Sequence, residues 1–233
     1  MAERTQAPRR TPLNRDRVLR AAVALADEAG IETLSMRNLA QQLDVVPMAL
    51  YKHVANKEEL LDGMVDVIVG EIDPPPRADW KDAVRQRILS ARQALQGHHW
   101  ASQVIESRTR ATPAVLDHMD SLMGMFRAGG FSVDLTHHVM HALGSRMWGL
   151  TRDVFPTPTP PADPDAREAM FRQFAARYPH IIEMATTGSA SGQGCDDQFE
   201  FEFTLDVLLD GFERLHQQGW RSTDPGNGTR AAG

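Results

Sequence analysis

Residues 33–57 read TLSMRNLAQQLDVVPMALYKHVANK, and this stretch narrows the fold of the chain more than any other. Leu39, Ala40 and Leu43 follow Ser35 at helical spacing, and a serine hydroxyl at a helix start accepts from the free backbone N–H groups there. Asp44 and Val45 then interrupt the pattern. Pro47 suits the first turn of a further helix, where its missing N–H leaves no bond unmade. Leu50 and Val54 would hold that helix to its neighbours. Two short helices joined by a tight turn are the geometry with which helix-turn-helix proteins enter the major groove of DNA. The second helix is predicted to carry Tyr51 and His53, both able to hydrogen-bond and stack, beside the basic residues Lys52 and Lys57.

The flanking residues complete a head over 14–71. Asn14 can cap a first helix with Val18, Ala21, Ala22, Leu25 and Ala29 on one side, and Gly30 can end it. Asn56 can cap a helix from Lys57 to about residue 71, with Glu58 and Glu59 in the first turn where the helix dipole favours them. Net charge is -6, which by itself argues against DNA, but its distribution does not. Residues 1–20 carry a net +4 and residues 61–233 a net -7. Residues 1–13 read either as a solvated, disordered basic tail or as part of the DNA-reading surface.

The rest of the 233 residues suffices for one larger domain, and an apolar content of 42% can fill its core. IDPPPRAD at 72–79 breaks the chain after the head. Helices are expected over 80–96, 101–108, 113–128 (ended by Gly129 and Gly130), 133–154 (capped by Ser132), 166–178 and 197–218. The proline-rich run FPTPTPPADPD reads as a surface loop, TTGSASGQGCDD as a linker, and 221–233 as a disordered tail. The predicted architecture is all-α: an N-terminal three-helix helix-turn-helix head, then a helical-bundle C-terminal domain over 72–220 for ligand binding and dimerisation. The final helix offers Phe199, Phe201, Phe203, Leu205, Val207, Leu208, Leu209, Phe212 and Leu215, wider than one core-facing stripe needs. Either a partner subunit covers the second face or the helix is enclosed in a monomer. No run of about 18 apolar residues is present, so no membrane span is expected. The N-terminus lacks the apolar stretch of a secretory signal, and the single Cys195 suits a reducing cytoplasm.

The sequence TLSMRNLAQQLDVVPMALYKHVANKEELLDGM resembles the tetracycline-repressor (TetR) family. Gly30, Ser35, Arg37, Leu39, Ala40, Leu50, Tyr51, His53, Val54, Lys57, Leu60 and Leu61 fill the family's pattern. In the body, DW at 79–80, GGFS at 129–132 and FEFTLDVLLDGFERL at 201–215 resemble the C-terminal class of the family's namesake. The resemblance implies a homodimer paired through the helices at 133–154 and near 197–218. It implies that Arg37 reaches a base, that Tyr51 and His53 touch phosphates and bases, and that Lys57 binds phosphate. With Pro47, Met48, Ala49 and Lys52 these make the expected DNA-binding set. Tyr51 is alternatively a core residue of the head. Val46 and Pro47 depart from the polar residues usual in the family, and Met48 and Ala49 could touch thymine methyls. A different operator is therefore expected.

On the ligand side, the resemblance places Asp73, Arg87, Ala91 and Ile105 where the namesake holds its drug and magnesium. None keeps the needed chemistry, so magnesium–tetracycline is not expected. Trp100, Met119, Leu122, Met123, Phe126, Met140, Met147 and Trp148 line a cavity or form ordinary core. The expected effector set is Arg87, Ala91, Ile105, Met119, Leu122, Phe126, His137, Met140 and His141. Arg87 invites a carboxylate or phenolate. His137 and His141 have metal-ligand spacing but nothing to complete a site, so no metal or cofactor is expected. His98 and His99 read as a helix end. The function expected is a ligand-responsive repressor, cytoplasmic, binding pseudo-palindromic operator DNA as a homodimer and released by an apolar or aromatic effector. The alternatives are a constitutive DNA-binding regulator and a helical-bundle enzyme with an accessory head. No catalytic fingerprint supports the enzyme.

Overall fold

The computed structural model describes residues 12–74, 77–147, 162–180, 183 and 196–224. Among these, every regular element is a helix. The expected tails at 1–11 and 225–233, positions 148–154 of the predicted long helix, the prolines at 156–161 and the linker around Cys195 lie outside the described residues. The chain divides into two compact units, Met1–Phe131 and Ser132–Gly233.

In the first unit, α1 (Arg15–Ala29) starts where the Asn14 side chain accepts from the Arg17 N–H at 2.8 Å. It stops at Gly30, whose φ of +83° suits a residue without Cβ. After a 3-10 turn at Ile31–Thr33, α2 (Met36–Gln42) is capped by the Ser35 hydroxyl, which accepts from Asn38 N–H at 3.1 Å. Asp44, with φ +53°, makes the tight turn. Aspartate tolerates that conformation because its short polar side chain can bond locally. Helix α3 (Pro47–Leu50) and α4 (Lys57–Val69) follow.

The second reading helix is shorter than the sequence predicts. It closes at Leu50, and His53 and Val54 both donate to the Leu50 carbonyl, at 2.8 and 3.0 Å. Tyr51, Lys52 and His53 therefore stand on a turn rather than on the helix. The α4 cap draws the chain away. Asn56 Oδ1 accepts from Glu59 N–H at 2.8 Å, and Glu59 Oε2 accepts from Ala55 N–H at 2.7 Å. Ala55 thus bonds forward to α4 instead of back along α3.

The apolar sides of these helices close one core. Val18, Leu39, Leu50, Leu60 and Met64 are fully buried in it. Each such side chain stabilises by roughly 1.5–3 kcal/mol relative to exposure. Ala29, predicted inward, is exposed; Val23 and Ala26 face the core instead. Leu13, assigned to the basic tail, packs against the same core. At Gly63 a Cβ would lie 2.5 Å from Leu19, so glycine lets α4 approach α1.

The core does not end with the head. It continues into Ala94, Trp100, Ala101 and Val104, from α5 (Trp80–Gly97), α6 (Ala101–Ser107) and the link between them. Trp100, weighed as cavity lining or ordinary core, packs into the head's core and also borders a cavity. Helix α7 (Pro113–Ala128) packs on α5. The Trp80 ring sits 5.7 Å from Phe126 and 4.6 Å from Phe131, which stand 5.2 Å from each other.

The second unit begins with α8 (Val133–Met147), where the Ser132 hydroxyl accepts from Leu135 N–H at 3.0 Å. Leu135, Val139 and Leu143 are buried at four-residue spacing. Asp134 accepts from the backbone N–H and hydroxyl of Ser222, at 2.7 and 2.8 Å, so Ser222 is held, although it was expected in the tail. Helix α9 (Pro164–Arg177) starts two residues earlier than predicted, because Asp163 caps it and Pro164 fits its first turn. It buries no side chain. Helix α10 (Asp197–Gln217) buries Phe201, Leu205, Leu209 and Phe212 and exposes Phe199, Phe203 and Val207.

Candidate functional site

The head presents a surface that its own fold does not use. Leu50 is fully buried and anchors α3, while Val46 and Met48 are 68% and 70% exposed. Pro47 is exposed and Ala49 is half-buried beside them. Arg37 is exposed on the first turn of α2. On the turn after α3, Tyr51 and Lys52 are exposed and His53 is half-buried. Lys57 is exposed at the first position of α4, where unpaired N–H groups and the helix dipole favour an anion.

Charge pairing separates this surface from the rest of the head. Arg15 lies 4.0 Å from Glu59, and Arg20 bonds Asp16 at 2.9 Å. Among the described residues Arg37, Lys52 and Lys57 have no ion-pair partner. Unpaired cations beside exposed apolar groups can neutralise phosphates while methyl and thioether groups meet base edges.

In the body, Arg87 of α5 is only 9% exposed. Its Nη1 donates to the carbonyls of Asp73 and Ile72, the latter at 3.3 Å. Burial lowers its pKa, and the Asp73 charge partly offsets that. The Asp73 carboxylate itself accepts from the Ser90 hydroxyl at 2.9 Å. His118 on α7, which sequence reasoning did not single out, lies within reach of the Arg87 charge. Burial, and then the charge of Arg87, push its pKa down to about 4. Ala91 and Leu122 are buried, one turn further along α5 and α7. Phe126 is enclosed with Trp80 and Phe131. Ile105 packs against the head's core, and Met119 is 40% exposed. In the second unit His137 and His141 are exposed with rings 4.6 Å apart, and Met140 is half-buried. The side chains of Met147 and Trp148 lie outside the description.

Two cavities of the first unit lie elsewhere. One of about 300 Å³ is bordered by Asp27, Glu32, His99 and Trp100, and one of about 550 Å³ by Asp79, Trp80, Ser121 and Met125. Neither has a predicted effector residue in its wall.

A polar seam joins α4 to the chain around α6. His98 donates or accepts at both nitrogens, Nδ1 with Asp27 at 2.8 Å and Nε2 with Glu71 at 3.0 Å. Burial opposes charge on this imidazole, but the bonds and charges of Asp27 and Glu71 outweigh it and raise its pKa. Trp100 Nε1 donates to Asp27 at 2.6 Å. At the other end of α6, Arg108 reaches Glu58 at 2.7 Å and Asp62 at 3.2 Å. Sequence spacing carried no sign of these contacts, whose partners lie 27 to 71 residues away for His98 and 46 away for Asp62.

Two family models match the chain. "Bacterial regulatory proteins, tetR family" covers residues 18–64, and "Tetracyclin repressor-like, C-terminal domain" covers residues 73–216. Tetracycline repressor protein class G of Vibrio anguillarum is 28% identical over 88% of this chain and 96% of its own. An HTH-type transcriptional regulator of Saccharopolyspora erythraea is 33% identical over 51% of each chain, so the match spans about half the length of that curated relative. Among solved structures, a possible TetR family transcriptional regulator from Streptomyces coelicolor A3(2) superposes with a TM-score of 0.66 at 28% identity, covering 87% of this chain and all of the other. The Streptomyces coelicolor TetR family protein ActR in complex with (S)-DNPA gives 0.66 at 25% identity, covering 88% and 100%.

Proposed function

Because the chain belongs to the TetR family of bacterial regulatory proteins, we propose that it is a repressor whose operator grip is released by a small molecule. Residues 14–71 read the DNA, and 72–220 hold the effector and the dimer contacts. The observation that carries this reading is the unpaired cationic and apolar surface of Arg37, Val46, Met48, Tyr51, Lys52 and Lys57. Lys57 takes a phosphate at the α4 N-terminus, Arg37 reaches a base edge, and Met48 and Val46 meet thymine methyls.

The dimer is supported by the exposed Phe199, Phe203 and Val207 of α10, which recur every four residues along one face. Two heads on a dimer match a pseudo-palindrome whose half-sites repeat about every 34–36 Å. An apolar or aromatic effector in the body lowers operator affinity by favouring a head spacing that misses this repeat. Near-complete release needs about 5.5 kcal/mol of differential affinity, which two sites per dimer can share. A regulator of bacterial DNA acts in the cytoplasm. No described helix is long and apolar enough to cross a membrane.

The test is a panel of neutral and ionised aromatic compounds, scored by melting temperature and by fluorescence anisotropy on a selected operator. At least one compound should raise the melting temperature and free the DNA. Operator binding that no compound alters would leave a constitutive regulator.

A further inference from the structure

Arg87 and His118 each keep a buried nitrogen without a partner, Arg87 Nε and His118 Nδ1, on helices packed against each other. Folded proteins pair nearly all such atoms, so two on facing elements call for a physical reason. The guanidinium already spends Nη1 on two carbonyls, which accept its hydrogen but bring no full negative charge. The nearest acid, Asp73, directs its carboxylate to Ser90. A buried cation lacking a bonded anion is costly unless something else supplies one. One turn along, Ala91 and Leu122 supply apolar surroundings.

We propose that Arg87 and His118 together bind the carboxylate or phenolate oxygen of an aromatic effector, making this regulator a sensor of organic anions. The proposal rests on the effector-release reading and narrows its ligand class. The anion accepts from Arg87 Nε–H and His118 Nδ1–H, and its ring system lies along the Ala91 and Leu122 side. The free imidazole is neutral at neutral pH because burial and the guanidinium both disfavour its charge. The neutral ring in its Nδ1–H tautomer donates to the arriving anion, so binding does not need the imidazole to charge.

The experiment uses the full-length protein and matched probes: benzoate, 2-naphthoate and anthracene-2-carboxylate, each against its primary amide. Calorimetry at neutral pH reads affinity, and anisotropy reads operator release. At least one acid should bind about tenfold or more tighter than its amide, since a charge-assisted bond replaces a neutral one. Arg87→Gln and His118→Gln should each bring the ratio towards one. Should Arg87→Gln fail to fold, Arg87→Lys, which keeps the charge, should retain part of the preference. Equal binding of acids and amides, with operator release by both, would overturn the anion site and leave the sensor reading intact. A preference that survives in both variants, or the failure of every acid to bind, would also overturn it.

Discussion

His98, an unremarkable half of a histidine doublet in the sequence, is bonded on both ring nitrogens to acids of the head. Its raised pKa means that the folded state binds a proton more tightly than the unfolded chain does. The stabilisation is therefore complete below the ordinary histidine value of about 6.5 and fades as pH rises through the higher folded value. Urea melts of wild type and His98→Gln should differ clearly at low pH and converge at alkaline pH; a gap that is constant across pH contradicts the ion-pair account. The helix caps Asn14, Ser35, Asn56 and Ser132 could be read from the sequence, because a cap and its target lie within three residues. His98, His118 and Arg108 could not, since what defines them arrives from other helices. On the DNA surface, Arg37→Ala should cost roughly 1–3 kcal/mol of operator binding and relax selectivity at one base pair. Lys57→Ala should weaken all duplexes alike and flatten the salt dependence. Titrations against cognate and scrambled duplexes over a range of salt would tell the two losses apart, and identical curves for both variants would refute the division of roles.

At the scale of elements, apolar periodicity located α1, α2, α4, α5, α6 and α7 to within a few residues because one face of each meets a core. It overestimated α3, where the cap of α4 competes for the backbone, and it could not say that the head's core runs on into α6. Helix α4 is bonded near both ends to the flanks of α6, through Arg108 on Glu58 and Asp62 and through His98 on Glu71 just beyond its last turn. Gly129 shows how closely another pair of elements approach. A Cβ there would lie 2.5 Å from Trp80 Cγ, whose ring is wedged against Phe126 and Phe131. Gly129→Ala should destabilise the fold by about 1–3 kcal/mol, as overpacking of a fixed aromatic does. Chemical denaturation checks this, and an unchanged midpoint would show that Trp80 can move aside.

For the whole molecule, an apolar stripe on α10 stands exposed, with no described residue packed over it. Phe199 and Phe203 are 64% and 58% exposed with rings 6.5 Å apart, on a helix whose other face is buried. The wide apolar surface was visible in sequence, but which residues face inward was not, because that depends on packing. Phe203→Glu leaves the buried Phe201, Leu205 and Leu209 in place, so the chain should still fold while self-association weakens. Sedimentation equilibrium should show a shift from dimer to monomer with helical content retained; a dimer of unchanged affinity would move the interface elsewhere. The function proposed for the whole molecule is that of a dimer reading DNA through the unpaired surface of Arg37, Met48 and Lys57. Selection of duplexes from a random library by the purified protein tests that most directly. It should enrich a two-fold symmetric sequence bound by two protomers, with the enrichment lost in Arg37→Ala. Recovery of no preferred sequence, or a selected site that Arg37→Ala and Lys57→Ala bind as tightly as wild type, would contradict it.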